Sequence, residues 1–290
     1  MPDTTQPTAS NVPATHPVHL VGAGPGDPEL LTLKAVRVLR AATVILVDDL
    51  VGEQVLDAVL GDVTPPPRRI HVGKRGGCAS TPQAFIEKLM VREALAGEKV
   101  ARLKGGDPLI FGRAGEEIAA LRAAGLQVEV VNGITSGLAA VNALGTGWTD
   151  RRHAQGVLLV TGHGQPGAAG PDWNAIAQAA ASGITLVIYM GVAQAPRIVA
   201  ALLPHLGADL PAAAVQHAST SRQRVTCTCL GQLVETLQRE AIGSPAVLVI
   251  GRVLDAAMLA VQAWPGAPKE PSAEPPPWQG WDHDRLGARG

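Results

Sequence analysis

Arg102-Leu103-Lys104-Gly105-Gly106-Asp107-Pro108-Leu109-Ile110-Phe111-Gly112-Arg113-Ala114-Gly115-Glu116-Glu117 is the stretch whose reading decides the fold. It opens as a strand, Lys99 to Leu103, and breaks into a turn of two glycines, an aspartate and a proline. A helical run from Ala114 to Ala124 follows and stops at Gly125. Paired glycines at a strand end let backbone approach a ligand with no Cβ in the way. Open α/β sheets bind ligands at that edge. The turn lacks the Gly-Lys-Ser/Thr ending of a nucleoside-triphosphate loop. Arg102, Lys104, Arg113 and Arg122 crowd the segment, which reads either as a seat for an anionic ligand or as a tight turn with a solvated helix face.

Composition narrows the function classes. A chain of 290 residues holds one or two domains and a sizeable core. With 3% aromatic residues it offers few stacking platforms for single-stranded nucleic acid. A net charge of −1 gives no overall field toward nucleic acid or a membrane. No apolar run reaches the length of a membrane span, and the N-terminus lacks the pattern of a secretory signal. Three cysteines, Cys78, Cys227 and Cys229, are an odd, low count that suits a reducing cytoplasm. Cys227 and Cys229 share one side of a strand, but nothing supplies further ligands, so no metal is expected.

Outward from the opening stretch, strands and helices alternate. Residues 1–17 lack periodicity and read as a disordered arm. Val18 to Val21 is a strand entering Gly22-Ala23-Gly24-Pro25-Gly26-Asp27-Pro28. A dinucleotide fingerprint is a rival reading, since Asp48 and Asp49 follow the next strand, but Asp27 stands where a third small residue is needed. The next helix has two alternative caps, Asp27 before Pro28, or Thr32. Thr43 to Val47 reads as a strand buried on both faces of a parallel sheet, with Asp48 and Asp49 at its carboxyl end. Arg69 to Val72 leads into the basic turn Gly73-Lys74-Arg75-Gly76-Gly77. Thr81 is expected to cap a helix with Pro82 at its first position. Leu126 to Val131 runs into Asn132-Gly133-Ile134-Thr135-Ser136, where Thr135 and Ser136 read equally well as helix caps and nothing more.

The second half repeats the alternation, with strands at Val157–Val160, Ile184–Tyr189, Ala212–Gln216, Arg224–Leu230 and Pro245–Ile250. Its helices are expected near Trp173–Ala181, Pro196–Leu203 and Leu233–Glu240. His163 and His217 read as loop hydrogen-bond partners. The expected organisation is an N-terminal α/β domain over 18–145, a linker over 146–156, a C-terminal α/β domain over 157–255 and a disordered tail over 264–290.

Taken in order and spacing, these turns resemble the tetrapyrrole methylase family over about Val18 to Val253. The pieces that carry the resemblance are Val21 to Pro28, Val47-Asp48 with Leu50-Val51, Val72-Gly73-Lys74-Arg75, the Arg102 to Glu117 block and Gly133-Ile134-Thr135. Thr149 with Arg151, His153-Ala154-Gln155, Val160 to His163, Tyr189-Met190-Gly191 and Ser244-Pro245-Ala246 complete them. The resemblance implies two α/β domains with S-adenosylmethionine in the cleft between them, and a homodimer. It implies C-methylation of uroporphyrinogen III at C2 and C7 to precorrin-2, for siroheme or cobalamin synthesis. Donor contacts carried over are Pro25, Gly105, Gly106, Asp107, Ile110, Thr135, Ser136, Met190 and Ala218. Asp48 matches the family's proton acceptor and Lys74 its proton donor. The substrate's eight carboxylates make Arg75, Arg113, Arg151 and Arg152 candidate contacts. Departures from the pattern are Asn132 for a common proline, Ser136 for alanine, Val47 for tyrosine, Ala218 for glycine and Leu109 for phenylalanine. A methylase acting later on the corrin path and a non-catalytic tetrapyrrole binder are the alternatives.

Overall fold

The structure, a computed structural model, describes residues 16–73, 81–164 and 170–255. In its first half, β1 (Val18–Gly22), β2 (Val44–Val47), β3 (Arg68–His71), β4 (Val100–Lys104) and β5 (Val128–Val131) form one parallel sheet ordered β3-β2-β4-β1-β5. Every residue of β2 is buried, as a continuous Val-Ile-Leu-Val run requires when helices cover both faces. α1 (Leu33–Ala41) and α2 (Glu53–Leu60) cover one face through Val36, Leu39 and Leu56. α3 (Gln83–Leu95) and α4 (Ala114–Ala123) cover the other through Met90 and Leu121. The chain leaves β1 for β2 and β3, returns to β4, then crosses β1 to reach β5. That reversal opens a crevice at the carboxyl ends of β1 and β4, where such sheets hold ligands.

α5 (Ser136–Ala143) follows β5, and β6 (Gly156–Thr161), α6 (Trp173–Ala181), β7 (Ile184–Tyr189), α7 (Ala195–Leu206), β8 (Pro211–Gln216), β9 (Arg224–Cys229), α8 (Leu233–Arg239) and β10 (Ala246–Ile250) complete the chain. The second sheet is ordered β6-β7-β10-β8-β9; β6 and β7 are parallel and the other neighbours antiparallel. α6, α7 and α8 pack one face through Ala177, Ile198, Leu202 and Leu237. The other face is covered by α5, whose Ala139, Ala140 and Val141, with Leu144 just past its end, meet Val187, Ala213, Val247 and Val249. The helix that leaves the first sheet is therefore the roof of the second.

Several local expectations are refined. Asp27 and Thr32 are both caps. Asp27 Oδ1 accepts from Glu29 N at 2.9 Å in a one-turn 3-10 helix, Pro28–Leu30. Thr32 Oγ1 accepts from Ala35 N at 3.2 Å and opens α1. A cap of this kind contributes about 1 kcal/mol. Thr81 does not cap α3. Pro82 takes that place, having no N–H to satisfy, and the Thr81 hydroxyl turns 3.4 Å toward the Gly73 carbonyl. α7 runs on to Leu206 through Pro204, in its last turn. α2 had no counterpart in the sequence reading, although Val55, Leu56, Val59 and Leu60 form a helical stripe between two glycines. Lys74, Arg75, most of the N-terminal arm and the tail lie outside the described residues.

Candidate functional site

Three strand ends of the first sheet close to backbone contact. Gly24 and Gly106 bridge each other beyond the sheet, each N–H donating to the other's carbonyl, at 3.2 and 2.8 Å. A Cβ on Gly22 would lie 2.6 Å from both the Gly106 oxygen and the Gly133 nitrogen, and one on Gly133 would lie 2.3 Å from that oxygen. No other residue fits at either place. Gly106 itself has φ +67°, a conformation glycine adopts without strain. Its missing Cβ would meet only Ser136 N and Thr135 Cα, at 3.7 Å, so it leaves open space beside backbone. Asp107 fastens this arrangement. Oδ1 accepts from Leu109 N at 2.8 Å, and Oδ2 accepts from Asn132 Nδ2 at 3.0 Å and Gly133 N at 3.1 Å. The Asp107 carboxylate thus holds two loops together.

The second sheet meets these turns through Tyr189, the chain's single tyrosine. Its hydroxyl lies 2.7 Å from Thr135 Oγ1 and accepts from Gly137 N at 3.0 Å. Trp148 Nε1 donates to the Gly137 carbonyl at 3.2 Å, so two aromatic side chains hold both backbone groups of one residue. Thr135 stands at the start of α5 but makes no side-chain cap bond; its hydroxyl serves Tyr189 instead. Burial pushes the Tyr189 phenol pKa up, keeping the hydroxyl protonated. The Phe111 ring lies 4.9 Å from that of Tyr189, tilted by 57°. Ile110 reaches into the same apolar cluster as Tyr189 and Ala218. On the other flank, a Cβ on Gly26 would lie 2.5 Å from Thr220 Cγ2 and 4.0 Å from the Ala218 oxygen, so the Pro25-Gly26 turn abuts the end of β8.

Pro25, Gly105, Gly106, Asp107, Ile110, Thr135, Ser136, Met190 and Ala218 therefore lie on turns that meet where the two sheets join. Among the described residues six other than glycine have positive φ; Phe111, Arg113, Met190, His217 and Ser219 lie on these turns or next to them, and Ala241 lies apart, after α8. Strain held by non-glycine residues in one place is a mark of a functional site. Leu50, Leu109, Met190 and Phe111 keep large apolar side chains exposed there, by 61, 54, 47 and 39%. Leu50 packs beside Gly105.

Charge is arranged differently from the sequence expectation. Arg102 and Lys104 do not face a ligand. Both side chains are buried and converge on Glu117 of α4, with Arg102 Nε 3.1 Å and Lys104 Nζ 2.9 Å from its carboxylate. Burial, then the neighbouring Arg102, lowers the Lys104 pKa. Asp48, at the end of β2 and a quarter exposed, lies 3.6 Å from Arg102 Nη2. A Cβ on Gly73 would lie 2.2 Å from Asp49 Cβ, so β3 delivers the chain against the end of β2. Arg113 is half exposed and pairs with Glu116 at 2.6 Å. Arg152 pairs with Asp150 at 3.0 Å and, with His153, Gly183 and Arg252, lines a separate hollow of about 480 Å³. Arg151 is exposed on the same turn. That turn precedes β6, so the structure places Arg151 and Arg152 at the sheet edge opposite the crevice.

Sequence reasoning missed Gly137, Trp148 and Tyr189 as the joint, and Glu117 as the partner of both buried cations. The signal was scarcity: in a chain with one tyrosine and two phenylalanines, two of those three rings meet in the crevice.

The profile of the Tetrapyrrole (Corrin/Porphyrin) Methylases matches residues 17–234. The chain belongs to this family. Among curated tetrapyrrole methylases, it is 52% identical to a uroporphyrinogen-III C-methyltransferase of Pseudomonas aeruginosa over 237 residues, 81% of this chain and 93% of that one. It is 47% identical to a uroporphyrinogen-III C-methyltransferase of Pseudomonas fluorescens over 244 residues, 84% and 95% of the two chains. Among solved tetrapyrrole methylases, the uroporphyrin-III C-methyl transferase of Thermus thermophilus, complexed with S-adenyl homocysteine, superposes with a TM-score of 0.69. That chain is 40% identical and is covered completely, against 83% of this one.

Proposed function

We propose that this tetrapyrrole methylase transfers methyl groups from S-adenosylmethionine to C2 and C7 of uroporphyrinogen III, giving precorrin-2 for siroheme or cobalamin synthesis. The observation that carries the reading is the joint itself. The Gly105-Gly106 turn of one sheet and Tyr189-Met190 of the other are held against the same residue, Thr135. Relatives that bear this activity in name, at 47–52% identity over most of their length, support the substrate.

The surroundings fit such a donor. The glycine turns bring backbone dipoles close, Gly106 leaves room beside Thr135 and Ser136, and Met190 and Ala218 close the far side. S-adenosylmethionine would supply a methyl group activated on a sulfonium sulfur. Leu50, Leu109, Phe111 and Met190 offer apolar surface to the faces of a macrocycle. Alignment of donor and acceptor carbons contributes up to ~7–11 kcal/mol in favourable cases. C2 and C7 already bear carboxylate side chains and carry no hydrogen, so as the carbon–carbon bond forms the balancing proton leaves from an adjacent bridging methylene carbon or ring N–H to the Asp48 carboxylate, directly or through water. Each methyl transfer releases one proton net, so Lys74 as proton donor serves only to shift a proton between positions of the macrocycle, matched by an equal loss. Lys74, Arg75 and Arg113 meet substrate carboxylates, with Arg suited to bidentate pairing. Arg151 and Arg152, at the opposite edge, belong to no step of one subunit's crevice. The protein works as a cytoplasmic homodimer, which sedimentation at working concentration checks.

The test is purified protein with uroporphyrinogen III and S-adenosylmethionine under reducing conditions. The expected product has gained two methyl groups and its yellow chromophore, with two donors consumed per tetrapyrrole. Binding of S-adenosylhomocysteine without methylated product would replace the enzyme reading with that of a tetrapyrrole binder.

A further inference from the structure

The buried charge cluster of Arg102, Lys104 and Glu117 is a feature that the proposed chemistry does not absorb. Buried ion pairs are poor sources of stability, because desolvation offsets their attraction. Arg102, Lys104 and Glu117 have side chains only 3, 5 and 0% exposed, and two cations facing one carboxylate leave a surplus positive charge. The strand register shows where that surplus points. Leu46 pairs with Arg102 across β2 and β4, and residues two apart on a strand share a face. Asp48 follows Leu46 by two, as Lys104 follows Arg102. All four charged groups therefore sit on the α3–α4 side of the sheet, with Asp48 uppermost at the rim.

We propose that Arg102 is a positioning residue that fixes the Asp48 carboxylate toward the crevice. The guanidinium is held at two nitrogens: Nε donates to Glu117 Oε1 at 3.1 Å and Nη1 to the Leu103 carbonyl at 3.2 Å. A rigid plane pinned at two points has its third nitrogen aimed, and Nη2 lies 3.6 Å from Asp48 Oδ1. Lys104 balances Glu117, with Nζ 3.0 and 2.9 Å from its two oxygens, and its stem lies 3.2 Å from where a Cβ on Gly112 would be. Glu117 is braced further by Gln83 Nε2 at 3.4 Å. Arg102 is itself shut off from substrate, so it acts only through Asp48. The inference rests on Asp48 being the proton acceptor.

Arg102→Lys separates geometry from charge, since an ammonium cannot span Glu117, the Leu103 carbonyl and Asp48 together. Steady-state rates would be measured for wild type, Asp48→Asn, Arg102→Lys and the double variant, with S-adenosylhomocysteine affinity read by calorimetry as the check on folding. Asp48→Asn is expected to lower kcat by about 10²-fold or more. Arg102→Lys is expected to lower kcat by about 10-fold, with the KM and affinity on the donor side unchanged, as a slightly misplaced group would. The double variant is expected to be no slower than Asp48→Asn alone, because both changes remove one function. If Arg102→Lys fails to bind S-adenosylhomocysteine, Arg102→Gln takes its place in the cycle. Full kcat in the Arg102 variant beside a slow Asp48→Asn overturns the positioning role and leaves the acceptor standing. Losses that multiply in the double variant overturn it too. An Asp48→Asn enzyme as fast as wild type removes the acceptor and the positioning role together.

Discussion

The two edges that face each other across the crevice are built on opposite principles. The first sheet brings charge: Asp48 at the rim, and Arg102, Lys104 and Glu117 buried beneath it. The second sheet brings shape. Its contribution is an aromatic hydroxyl, a strained Met190 and a small Ala218, with apolar packing behind them. In the proposed reading the proton-transfer group stands on the first sheet alone, while the second sheet adds only contacts that help hold the donor, so changes to Asp48 and to Tyr189 should fail separately.

The sharpest way to break the contrast is Glu117→Ala. It strands two buried cations, and removal of one partner from such a cluster costs about 3–5 kcal/mol. Denaturant unfolding should show a loss of that order, with activity falling alongside stability. Gly137→Ala attacks the other half. A Cβ there would lie 2.3 Å from the Tyr189 hydroxyl and 2.9 Å from Val187 Cγ1, inside a packed joint. Overpacking of this kind costs about 1–3 kcal/mol, and calorimetry should show weaker S-adenosylhomocysteine binding. Tyr189→Phe is milder. It keeps the ring against Phe111 but leaves Gly137 N–H and the Thr135 hydroxyl without their partner, about 1–2 kcal/mol in thermal unfolding. Donor affinity should fall while the rate at saturating donor holds, which would confirm that this half clamps without taking part in proton transfer.

The smallest effect lies at the far edge. The Arg152 guanidinium bonded to Asp150 holds that carboxyl down at about 2, below its ordinary value of 3.8. A depressed acid contributes its stability above the unfolded pKa and loses it as pH falls through the folded one. The turn before β6 should therefore loosen only between about pH 4 and pH 2, seen as amide exchange at Arg152 and His153, while donor binding at neutral pH is unaffected by Asp150→Asn.

Much of this was legible because strand ends are written in local code. Glycine pairs, prolines and a β-branched run located the turns, and parallel topology put them on one edge; the ends of α6 and β7 were readable to the residue. Partnership was not legible. Glu117 reads as an acidic residue in a helix's first turn, and nothing local says that it lies under two cations from a strand more than ten residues away. Asp107 reads as a ligand group because its three partners, two of them on the β5–α5 loop, are set by tertiary packing. Thr135 reads as a cap because the sequence does not reveal which donor or acceptor wins its hydroxyl.

The roofing of the second sheet by α5 bears on how relatives could be spliced. The connection between the two sheets runs through the 145–155 loop, but the packing seam lies earlier, between the end of β5 and Thr135. A chimera joined within that loop would lay a foreign helix over a sheet shaped for another. One joined at the Asn132-Gly133 bend would keep α5 with the surface it covers, provided that an Asn-Gly pair is kept there to meet the Asp107 carboxylate and the Gly106 carbonyl.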